Sequence, residues 1–108
     1  MLKKVLSCSV LLAGLALSGA ASANEDAEAL AKQHICTACH GIDQKIVGPA
    51  YTDVAAKYAD KENALELVKA SIKAGGSGKW GQAAMPPQAQ LSDEQLTILA
   101  EWILSQKK

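Results

Sequence analysis

Beyond residue 23 this chain has too few large apolar side chains to fill a core unaided. The 108 residues include no Phe, two Trp and two Tyr. All four aromatics lie in the later part, as Tyr51, Tyr58, Trp80 and Trp102, among many alanines. A domain of this size draws only about 3–5 kcal/mol from its hydrophobic core. The sequence therefore predicts a fold held by some form of staple.

Residue 23 is the boundary because the segment before it reads as a secretory signal. Lys3 and Lys4 precede an apolar run from Val5 to Leu17, and Ala21-Ser22-Ala23 offers a small-x-small cleavage site. The run is shorter than the roughly 20 apolar residues needed to span a bilayer, which disfavours a membrane anchor. Cys8 precedes most of the apolar run, so it is read as part of the discarded peptide, not as a lipid attachment point. Residues 24–108 then form one domain in an oxidising compartment. Nine lysines and eleven acidic residues remain there, a net charge of −2. Scattered lysines without a basic stripe argue against nucleic acid as a partner.

Four helical segments are expected and no strand, so the fold class is all-α. The first covers about 25–35, capped by Asn24, with Ala27, Leu30, Ala31 and His34 on one side. A second covers 53–58, with Thr52 as its cap. A third covers 61–74, with Leu65, Val68 and Ile72 as its apolar stripe and Gly75-Gly76 as its stop. Ser92 and Gln95 form a capping box for the last, at 93–105, which buries Leu96, Leu99, Ala100 and Ile103 beside Trp102. Residues 75–91 form a long loop, Gly-rich and then Pro-rich, of the kind that is usually functional.

Two thiols and an imidazole stand together at Cys36-Thr37-Ala38-Cys39-His40. A closed zinc site wants four ligands from separate directions. Here Cys36, Cys39, His34 and His40 crowd into seven residues, and adjacent Cys39 and His40 cannot easily share an ion. A redox dithiol wants a βαβ setting, which the sequence lacks. A disulfide across two residues closes too small a loop to staple the fold. The remaining reading is c-type haem: Cys-x-x-Cys-His presents both thiols to the cofactor's vinyl groups and the histidine to its iron. A large flat apolar cofactor also meets the shortage of core. Met85, in Met85-Pro86-Pro87 on the long loop, is a suitable sixth ligand, since a thioether raises the potential of such an iron. Pro86 biases Met85 toward extended backbone.

CTACH at 36–40, KIVGPAYTDVAAKY at 45–58, GKWGQAAMPP at 78–87 and LAEWILSQK at 99–107 occur in that order. In these motifs the chain resembles the small bacterial class I cytochromes c of the cytochrome c-551 type, over essentially all of residues 24–108. The resemblance implies helices wrapped on one covalently attached haem, the first and last crossing. It implies a monomeric periplasmic electron carrier. Its donor would be a cytochrome bc1 complex or another cytochrome, its acceptor a nitrite reductase or an oxidase. Position by position it implies thioethers at Cys36 and Cys39, a proximal ligand at His40 and a distal ligand at Met85. It also implies a Pro49 carbonyl bonded to the proximal imidazole, Trp80 near a haem propionate, and Trp102 in the core. Gln88 stands where an asparagine often bonds the methionine sulfur, and a weaker version of that role is expected.

Two departures matter. Relatives place an aromatic in the first helix where this chain has Ala31, and Tyr58 or Ile35 is expected to fill the gap. Some relatives have an arginine near the propionates, whereas this chain has no arginine and carries Ser71 in that helix. Lys32, Lys45, Lys57 and Lys79 are read chiefly as solvated lysines, with steering of a redox partner as the functional alternative. His34 is read as a helix-end histidine. The competing class is a haem enzyme or gas sensor, which would need Met85 off the iron.

Overall fold

The computed structural model describes residues 27–107. The expected signal peptide and the Asn24 cap lie outside the described residues. Four helical segments are found among those described: α1 at 27–33, α2 at Tyr51–Tyr58, α3 at Ala64–Ala74 and α4 at Asp93–Leu104. The remainder is turn and loop, with a short 3-10 turn at Cys36–Ala38 and two isolated bridges in place of any extended strand. None of these helices is long and apolar enough to cross a membrane.

α4 is the central element and packs on both α2 and α3. Its face is the one expected: Leu96, Leu99, Ala100, Trp102 and Ile103 are buried. Val68 and Ile72 meet it from α3, and Tyr51 and Tyr58 from α2. Ala27 and Ala31 are completely buried in the same cluster. With no side chain beyond Cβ, they let the α1 backbone come close to its neighbours. Lys69 ties α3 to the start of α4, its Nζ 3.0 Å from Asp93 Oδ1.

The capping box of α4 is present in full. Gln95 N donates to Ser92 Oγ at 3.1 Å, and Ser92 N donates to Gln95 Oε1 at 2.9 Å. Two orphan amides at the start of the central helix are thereby satisfied. Ser92→Ala is expected to cost about 1 kcal/mol, read as a lower thermal midpoint with the absorption spectrum unchanged.

Four expectations need correction. Thr52 does not cap α2. The helix begins at Tyr51 after Ala50, and Thr52 is buried with its hydroxyl unpartnered. The amides of Tyr51 and Thr52 donate instead to the carbonyls of Gly41 and Ile42, both at 2.9 Å, so the preceding loop does the work of a side-chain cap. α1 stops at 33, short of 35, because Ile35 takes a left-handed backbone, φ 62°, that starts the cysteine turn. That same turn leaves Ile35 69% exposed, so it does not fill the space beside Ala31. Tyr58 does not fill it either. A cavity of about 230 Å³ lies there, lined by Ala31, Thr37, Ile42, Ile46, Tyr51 and Trp102 among others. α3, finally, starts at Ala64, with turns at Lys61 and Ala64 occupying the residues expected to open it.

Candidate haem site

The cysteine turn is built by local hydrogen bonds. Cys39 N and His40 N both donate to Cys36 O, at 3.1 and 2.9 Å. The loop that follows folds back on it, with Val47 N and Gly48 N donating to Cys39 O at 3.1 and 2.8 Å. Both cysteines are half-buried. Burial pushes the Cys36 thiol up, and the neighbouring Cys39 adds to the effect. A redox or nucleophilic cysteine needs the reverse, a depressed thiol.

His40 is held from two sides. Its Nδ1 lies 2.8 Å from Pro49 O. A carbonyl only accepts, so Nδ1 carries the proton and Nε2 keeps its lone pair for a metal. Its ring stacks on Tyr51, with centroids 5.4 Å apart and planes 20° apart, and Tyr51 meets Trp102 edge-on at 5.2 Å. The imidazole is thus fixed to the central helix through two aromatic contacts. Gly48 makes this possible, since a Cβ there would collide with the ring, lying 2.9 Å from Nδ1. Gly48→Ala is expected to cost about 1–3 kcal/mol through overpacking. A lower melting temperature of the haem-loaded protein checks this.

Met85 is held by its backbone. It exchanges both hydrogen bonds with Gly76, Met85 N to Gly76 O at 2.8 Å and Gly76 N to Met85 O at 2.9 Å. Three residues later the chain is anchored again, because Gln88 N donates to the carbonyls of Ile72 and Lys73 at the end of α3, both at 3.2 Å. Gly75 sits between these anchors at φ 66°, where a Cβ would also strike Pro86 and Pro87. A residue with a side chain would be strained there and would push the methionine loop away.

A cavity of about 560 Å³ joins these parts. Cys36, Cys39, His40 and Pro49 line it, as do Met85 and Trp80, together with apolar side chains from all three later helices. Among the described residues every expected site residue therefore reaches one space. Gln88 lines it too, but its Nε2 donates to Pro86 O at 3.1 Å and its Oε1 accepts from Gln90 at 2.7 Å. Gln90 also bonds His34 Nδ1 at 3.3 Å, so His34 closes a polar link between the end of α1 and the methionine loop. Sequence reasoning missed Tyr51, Gly48 and Gly75 as supports. The first had only its place two residues after Pro49 as a signal, and the glycines had none beyond their identity.

The donor set fits a covalently attached haem: two thiols, an imidazole with a free Nε2 and a thioether around a largely apolar cavity. Comparison with known proteins places the chain accordingly. The family model for cytochrome c matches residues 24–107. Cytochrome c-552 of Nitrosomonas europaea is 50% identical over 93 residues, covering 86% of this chain and 87% of that protein. Cytochrome c-551 of Pseudomonas aeruginosa is 50% identical over 99 residues, covering 92% of this chain and 93% of its own. The crystal structure of wild-type Nitrosomonas europaea cytochrome c552 superposes with a TM-score of 0.70, covering 74% of this chain and 99% of that one. The class 1 cytochrome MtoD of Sideroxydans lithotrophicus, 27% identical, superposes with a TM-score of 0.66, covering 78% and 96%. The chain belongs to the cytochrome c family, and its cofactor is covalently bound haem c.

Proposed function

We propose that this protein is a periplasmic one-electron carrier with a low-spin haem held by His40 and Met85. The observation that carries the reading is the Nδ1–Pro49 bond at 2.8 Å, which commits the imidazole to one tautomer and leaves Nε2 for iron. Cys36 and Cys39 would each add a sulfur to a vinyl carbon, the thiol proton going to the neighbouring carbon. Both thiols and His40 come from the same turn, and Met85 comes from a loop anchored at both sides. Trp80 and Gln88 would support the cofactor's edge and the methionine. The bound haem supplies a reversible Fe(III)/Fe(II) couple. The chain's contribution is to hold both ligands unchanged in either state, exclude water and tune the potential.

With His40 and Met85 both holding the iron, no position would be left for a substrate, and the protein would be a carrier and not an enzyme. Residues 1–23 would direct export and be removed. The mature chain would act as a monomer, docking briefly with its donor, a bc1 complex or another cytochrome, and with its acceptor, a nitrite reductase or an oxidase. Such contacts are small, below about 1,200 Å². The absorption spectrum of the purified protein, followed by mixing of its reduced form with candidate acceptors, tests this. A low-spin spectrum and fast oxidation by one of them are expected. A high-spin spectrum that changes on adding carbon monoxide would instead mark an open-iron enzyme or sensor.

A further inference from the structure

Lys79 lies on the rim of the large cavity, in the loop after α3. Its ammonium donates to the hydroxyl of Tyr58 at 3.2 Å and to that of Ser71 at 3.4 Å. It also stands 6.0 Å from the centre of the Tyr58 ring. Tyr58 and Ser71 line the same cavity, one from α2 and one from α3, so three elements converge on this cation. The adjacent Trp80 lines the cavity as well and carries Lys57 Nζ 5.1 Å over its ring. Lys57 and Lys79 thus flank one stretch of rim, the first over a ring and the second on two hydroxyls. A hydroxyl that accepts from an ammonium keeps its own proton to donate. One cation with two such hydroxyls beside it, at the mouth of an apolar cavity, is a donor set for a carboxylate.

We propose that Lys79, with the hydroxyls of Tyr58 and Ser71, forms a carboxylate site that receives a haem propionate. The site does for this arginine-free chain what a guanidinium could do elsewhere. It rests on the haem reading above, and it makes Lys79 and Ser71 determinants of how the potential responds to pH. An ionised propionate favours oxidised iron, so the potential falls as pH rises through the propionate's titration. A cation within hydrogen-bond reach holds that titration at low pH. Beside Lys79 stand Tyr58 from α2 and the Ser71 hydroxyl of α3, and Lys57 lies over the adjacent Trp80. His34, which lines the cavity farther along, is the same in every variant compared.

The test is the midpoint potential of the haem-loaded protein against pH. Lys79→Met is expected to move the acid-side inflection up by about one pH unit or more, Ser71→Ala to move it in the same direction by less, and Lys79→Arg to restore it. Lys61→Met, which removes the same charge from an exposed residue outside the cavity lining, should leave it in place. An inflection unmoved in Lys79→Met, or moved equally in Lys61→Met, overturns the proposal. A colourless protein would instead defeat the haem reading itself, whereas a coloured, low-spin protein with an unmoved inflection defeats only this site.

Discussion

Replacement of both Cys36 and Cys39 by alanine will leave the exported chain colourless and largely without helix. The buried cluster is small, and its larger members, Tyr51, Tyr58 and Trp102, face a cavity of about 560 Å³ or its neighbour. Holding that volume dry without a filler would cost on the order of 10 kcal/mol at the usual cost per unit of cavity. That matches the entire stability of an ordinary domain, roughly 5–15 kcal/mol. Water could enter, but the apolar lining would then be wetted and its burial lost. Either way the helices have too little to pack on, and none exceeds twelve residues among those described, too short to stand alone in water. Circular dichroism of the double variant should show most of the helical signal gone. Native-like helicity in it would mean that the polypeptide stabilises this fold unaided.

Met85→Ala should have the second-largest effect, and on the iron more than on the fold. The loop is anchored by backbone bonds to Gly76 and by Gln88 N to α3, which the substitution leaves intact. What is lost is a soft thioether that favours the reduced state. The potential is expected to fall by on the order of 0.1 V, a modest part of the roughly 0.8 V that axial ligands can span. The vacated position should then bind cyanide or carbon monoxide more readily than in the unsubstituted protein. Unchanged potential and ligand binding would show that another group, not Met85, holds that position.

What the sequence made legible was local. The α4 capping box and its buried face follow from residues three and four apart, where helix geometry alone decides who meets whom. The cysteine turn was readable, and Met85 could be singled out as a candidate ligand, because chemistry restricts what such residue types can do together. The bond from His40 to Pro49 was expected only through family resemblance, since nine residues of loop leave its geometry open. The misses were non-local. Thr52 looks like a cap until carbonyls of Gly41 and Ile42 supply the acceptors. Ile35 looks like a core residue until a left-handed backbone turns it outward. Lys79 reads as solvated surface, yet its partners lie 21 and 8 residues away, and no local pattern announces them.

The sequence contains two methionines, Met1 and Met85, so removal of residues 1–23 would leave a single one. Proton NMR of the reduced, methyl-methionine-labelled protein therefore reports on that residue alone. If Met85 binds the iron of a haem whose other axial ligand is His40, its methyl resonance should be displaced far upfield by the macrocycle's ring current. A methyl resonance at the ordinary position of a free methionine would contradict the account.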